Sequence, residues 1–211
     1  MPTTIEITAY KFQKLTDKAK QEVITRLAPD HQWWDHIYDH AKELGEAKGF
    51  RIDDINFSGF YSQGDGASWV GMVDTPKWIE LNKADETFAQ ILLELIENGW
   101  VSKQVEIVNS NSRYSHSNTM NHRSWEIVAP LPASTIEEGI FKGAPVDELF
   151  TTIGYGYLDS LLVDMLDDAR SFADDIYKML RDEYEYLCSE EYIAELCDAN
   201  EYLFDENGRF V

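Results

Sequence analysis

The run Phe57-Ser58-Gly59-Phe60-Tyr61-Ser62-Gln63-Gly64-Asp65-Gly66-Ala67-Ser68-Trp69 holds more polar chemistry than a turn requires. Gly64 and Gly66 bracket Asp65, and a Gly-Asp or Asp-Gly pair alone is enough to reverse a chain. Ser62, Gln63 and Ser68 are therefore a surplus of short polar groups around the reversal. Arg113, Tyr114, His116 and His122 lie further along and are the available partners. A carboxylate, an arginine and a histidine converging beside glycine backbone can bind a phosphorylated ligand or perform acid–base work. The loop lacks the Gly-Lys-Ser/Thr ending of a P-loop and the helix that follows a dinucleotide fingerprint. It also lacks the alternating acids and closing Glu of a calcium loop. Ser62, Ser68 and Ser115 are all candidate nucleophiles and none is singled out. The plain alternative is a structural hairpin followed by a polar loop.

His36 and His40 stand four apart on an expected helix, beside Asp35 and Asp39, with His31 upstream. Two histidines at that spacing can share a metal ion. The catalytic version places Glu directly after the first His, where this sequence has Ile37. No third ligand is fixed, so a polar helix face is the competing account, and no cofactor is expected.

Charge is the third feature. The 211 residues carry 18 Lys+Arg against 39 Asp+Glu, a formal net charge of −21. Residues 159–211 hold 16 acids and 4 bases, so most of that excess lies there. Repulsion disfavours direct binding to DNA, RNA or anionic membrane and favours a basic partner. Asp164, Asp167, Asp168, Asp174 and Asp175 share one helical segment with an apolar stripe. Like charges at i, i+3 and i+4 repel by a few tenths of a kcal/mol each. Carboxylates held outward along one ridge can occupy a groove built for phosphates, as a nucleic-acid mimic does; the competing account is an ordinary solvated face.

The elements that position these groups follow from periodicity and caps. Residues 5–10 alternate as a strand, and Thr16 caps a helix to about Leu27, with Leu15 as a staple and Pro29 beyond. A second helix runs from about Gln32 to Lys48, with Gly49 as its stop. Ile52–Tyr61 and Ala67–Val73 pair across the glycine loop. Thr75-Pro76 opens a helix that continues to Asn98-Gly99. Val101–Val108 is a strand with Trp125–Val128 as partner, joined by a long polar connection, part of which can extend the strands. Pro130–Pro145 is irregular. From Tyr157 to Leu187 apolar residues recur at three and four, a long amphipathic helix. Ser189 caps another, with Glu190 and Glu191 in its first turn. Asn207-Gly208 turns a small closing hairpin.

Cys188 and Cys197 fall in helical sequence, where packing is their expected use, in keeping with a reducing compartment. Met1-Pro2-Thr3-Thr4 does not begin a signal peptide, and no apolar run reaches the roughly 18 residues of a membrane span. A cytoplasmic protein is expected.

The stretch from Ser58 to Trp69 resembles the core signature of a family of small proteins encoded by tailed bacteriophages and prophages. In that family a Trp-Trp-Asp-x-x-Tyr-Asp helix precedes the core, matched here by Trp33, Trp34, Asp35, Tyr38 and Asp39. An Arg-Tyr-x-His segment follows, matched by Arg113, Tyr114 and His116. Residues 183–187 and 200–204 resemble the family's ending. Some members carry a toxin–antitoxin label, and the family lends no catalytic residues. His36 and His40 are not part of its pattern. By analogy of class and charge, the resemblance implies an acidic phage inhibitor of the anti-CRISPR or anti-restriction kind.

The expected fold is a single α+β domain: an antiparallel sheet of four or more strands packed with helices. It divides into a helix–sheet core (1–130), a connection (131–156) and an acidic helical part (157–211). The leading functional expectation is inhibition of a basic host defence or nucleic-acid-processing factor, bound through Asp164, Asp167, Asp168, Asp174 and Asp175. One alternative is a ligand-binding protein or enzyme using Gln63, Asp65, Arg113, Tyr114 and His116. The other is an antitoxin that neutralises a basic toxin.

Overall fold

Short polar residues ahead of Asp17 and Glu190 are local signals for helix starts, and the computed structural model uses both. It describes residues 8–30, 32–84, 86–99, 101–110, 114–123 and 155–211. Six α-helices are present among them: α1 (Asp17–Leu27), α2 (Asp35–Ala47), α3 (Thr75–Asn82), α4 (Thr87–Glu97), α5 (Tyr155–Leu187) and α6 (Glu190–Ala199). Thr16 Oγ1 accepts from the Ala19 amide at 3.3 Å, and Ser189 Oγ accepts from the Tyr192 amide at 3.1 Å. Each bond satisfies one of the amides that a helix N-terminus leaves without an intrahelical partner.

The four strands β1 (Phe50–Phe57), β2 (Ala67–Asp74), β3 (Gln104–Asn109) and β4 (Met120–His122) form an antiparallel meander in sequence order. The protein is therefore α+β, as its alternation of strand and helix periodicities predicted. The chain divides into two compact units, one of Met1–His36 with Lys178–Val211 and one of Ile37–Tyr177. This grouping cuts across the expected 1–130 and 157–211 parts, because the chain's two ends build one core.

In the first unit Phe12, Leu15, Ala19 and Val23 pack with Ile193, Cys197 and Phe204. Tyr10 bridges to Phe204 and Phe204 to Phe210, so the Asn207-Gly208 turn closes its hairpin as expected. In the second unit Trp69 is fully buried, its ring 5.3 Å from that of Phe50, which in turn lies 5.8 Å from Phe172 of α5. The Trp69 indole donates to the Ala169 carbonyl at 3.0 Å, which satisfies a polar atom that burial would otherwise penalise. Burial of each such side chain contributes about 1.5–3 kcal/mol.

One expectation about these elements is corrected. The helix from Thr75 to Asn98 is two helices, α3 and α4. Asn82 Nδ2 donates to the Trp78 carbonyl at 2.9 Å, and that side-chain bond competes with the backbone where α3 ends. β3 pairs with Met120–His122, within the connection that was expected in part to extend the strands. The chain has already reversed at a 3-10 turn, Ser117–Thr119, where the Thr119 amide donates to the His116 carbonyl at 2.9 Å. Trp125–Val128, the 130–145 connection and most of the 5–10 strand lie outside the described residues.

Candidate functional site

The hairpin between β1 and β2 holds the loop with surplus polar groups, and its hydrogen bonds show what most of them do. Asp65 Oδ2 accepts from the amides of Tyr61 at 2.8 Å and Ser62 at 2.6 Å. The carboxylate folds the loop onto itself, as an Asx-type turn does. Ser58 Oγ donates to the Ser115 carbonyl and accepts from the Gly66 amide, both at 3.2 Å. Phe60 stacks on Phe57 at 5.4 Å and reaches Tyr177 of α5 at 5.6 Å.

The loop and the segment before β4 do meet. A Cβ on Gly66 would stand 2.8 Å from His116 Cδ2, whereas one on Gly64 would meet nothing within 4 Å. Gly64 is thus needed for its φ of +95°, and Gly66 for the close approach of the imidazole. His116 Nδ1 accepts from the Asn118 amide at 3.0 Å, so one ring nitrogen is committed to the turn that leads into β4. Gln63 and Tyr114 are exposed, Tyr114 at 54%. Arg113 lies outside the described residues. Of the expected cluster, the Gly66–His116 approach is therefore in place, while the Asp65 carboxylate is turned into its own loop.

His36 and His40 both lie on α2. His36 Nε2 is 3.4 Å from Glu183 Oε1, and no group of three metal-ligating side chains occurs among the described residues. His31 is outside them.

The acidic segment of α5 holds five aspartates in roughly 120° of circumference, at about 100° per residue. The apolar stripe of Leu161, Met165, Ala169, Phe172 and Ile176 is buried on another side. The five differ in what they touch. Asp164 pairs with Lys83 at 3.0 Å, and Asp168 Oδ2 accepts from the Trp78 indole at 2.9 Å. Asp167 is 3.6 Å from Arg170 one turn along; Asp167, Asp168, Asp174 and Asp175 are exposed and Asp164 is half-buried. Asp164 also belongs to a short network at the break between α3 and α4. Its carboxylate, then that of Glu86, hold the Lys83 ammonium above its ordinary pKa. The Tyr157 hydroxyl donates to Glu86 at 2.6 Å; this bond, then Lys83, lowers the Glu86 pKa. Burial, then Glu86, pushes the phenol of Tyr157 strongly up. Lys83 and Trp78 were not candidates from sequence. The i, i+3 pair Lys83/Glu86 was a readable signal, but the partner on α5 was not.

No helix among the described residues is long and apolar enough to cross a membrane. Fold and site together define an α+β protein with a four-stranded antiparallel meander and an acidic face on the helix packed against it. Residues 33–190 match the family described as a domain of unknown function (DUF8835), and the chain belongs to that family. No curated protein and no solved structure matches it.

Proposed function

We propose that this is a phage-encoded acidic interaction protein. It acts in the host cytoplasm by occupying the basic surface of a defence or nucleic-acid-processing factor. The phage assignment rests on the motif resemblance from Ser58 to Trp69. The mode of action rests on one observation: Asp167, Asp174 and Asp175 are exposed on one face of α5, next to Asp164 and Asp168.

Magnitudes limit what this face does alone. An exposed ion pair contributes about 0.2–1 kcal/mol, so three give at most about 3 kcal/mol, or roughly a hundredfold in affinity. Acidity of this kind steers a basic partner and makes binding salt-sensitive; tight binding needs apolar contact as well.

The test is a pull-down from host lysate at low and high salt, with the wild-type chain and a D167K/D174K/D175K variant. A captured partner should be lost at high salt, weakened at least tenfold by the reversal, and displaced by DNA or RNA. A complex indifferent to both salt and reversal would sink the proposal.

A further inference from the structure

Beside the acidic face, α2, α3 and α5 enclose an open cleft of about 400 Å³. Its lining includes Phe50, Trp78 and Phe172, with Leu44 at 39% and Leu81 at 57% exposure. Asp168 and Asp175 belong to the same lining, so the acidic ridge and the apolar cleft are continuous. Leu81 follows Trp78 by one helical turn, which sets an exposed leucine next to a buried indole on α3. Trp78 donates to Asp168, and this bond fixes one carboxylate at the cleft wall. The Lys48 ammonium lies 5.9 Å from the centre of the Phe172 ring, so a cation already occupies an aromatic face there.

We infer that this cleft docks an amphipathic basic helix of a partner protein. Apolar side chains from one helical stripe enter between Leu44 and Leu81, and flanking Lys or Arg residues meet Asp168 and Asp175. Charge complementarity selects this occupant. The acids run on from Asp164 to Asp175, about 16 Å of helix at 1.5 Å per residue, further than a small molecule in the cleft would reach. An occupant that uses both features is an extended segment with apolar residues and cations at helical spacing, the helix-in-groove mode. This deepens the acidic-interaction proposal and rests on it.

The test uses the full chain and two labelled 18-residue Leu/Lys peptides, read by fluorescence anisotropy. One has leucines at i, i+3, i+4 and i+7; the other is a shuffled sequence of identical composition. The striped peptide should bind at least tenfold more tightly. Leu81→Ser, at an exposed position, should abolish that difference and leave the shuffled peptide unchanged. Ser171→Gln, also exposed and in the lining and carrying no charge to repel the lysines, should do the same, with unfolding midpoints close to wild type for both variants. Equal binding of the two peptides, or a preference that survives both substitutions, would overturn the cleft while leaving the acidic face standing. D167K/D174K should weaken both peptides alike. If it weakens neither, the acidic-face proposal fails, and the Leu81 and Ser171 results still decide the cleft.

Discussion

Gly66 packs against the imidazole of His116 so closely that a Cβ on the glycine would stand 2.8 Å from Cδ2 and 3.2 Å from the His116 Cα. The contact joins the β1–β2 hairpin to the segment that leads into β4, two parts of the chain some fifty residues apart. Ser58 makes the same connection through the Ser115 carbonyl. The loop is thus tied down at both its aromatic and its polar ends.

Gly66→Ala should destabilise the protein by about 1–3 kcal/mol, the range for overpacking a closed contact. The close His116 Cα means that rotating the imidazole away gives only partial relief. In a double-mutant cycle with His116→Ala, urea unfolding should show coupling of at least about 0.5 kcal/mol. Strict additivity would mean that the two residues do not touch.

Asp168 and Asp174 look equivalent along the helix and should behave differently. Asp168→Ala leaves the buried Trp78 indole without its acceptor, a loss of about 1–3 kcal/mol. Asp174→Ala, at an exposed position, should stay within about 0.5 kcal/mol of wild type. Urea midpoints compare the two directly.

Alkali should expose the Tyr157–Glu86–Lys83–Asp164 network. Lys83 and Tyr157 both have pKa values raised in the folded protein. Their contribution is complete below the unfolded values, about 10 to 10.4, and is lost as pH rises through the folded ones. Tyr157→Phe should therefore be less stable than wild type at pH 8 and lose less on going to pH 11. Parallel unfolding curves for the two proteins would exclude this role.

Acid should act through Asp205. The Arg209 amide at 2.9 Å, then the Asn207 amide at 2.8 Å, hold its carboxyl below the ordinary range. Its contribution is present above the unfolded value, about 3.9, and is lost as pH falls through the folded one. Between pH 5 and pH 2 the midpoint of wild type should drop further than that of Asp205→Asn, which keeps an acceptor oxygen but does not titrate.

Phe204 is fully buried where the two ends of the chain meet. Phe204→Ala should cost about 3–5 kcal/mol, the range for truncating a core aromatic. Amide exchange should locate the loss in α1 and α6 and spare β1 to β3. Protection lost evenly over both units would show that they unfold together.

Local physics made much of this legible in advance. Thr16 and Ser189 cap helices because the acceptor and the amide it satisfies are three residues apart. The Gly64–Gly66 reversal and the Asn207-Gly208 turn are equally short-range. The one misreading has a local cause that composition does not mark. The end of α3 is set by competition between Asn82 and the helix backbone, without Gly or Pro to mark it.

The sequence by itself determined the α+β class, the acidic balance and the single face of α5 on which five aspartates fall, because composition and helical period depend on nothing else. Only the tertiary structure decided which of those aspartates are taken up by Lys83 and the Trp78 indole. It alone joined Phe12 and Val23 to Ile193 and Phe204 in one core, and turned Asp65 into its own loop. Contacts between residues far apart in the chain depend on how the whole molecule packs, and no local spacing encodes them.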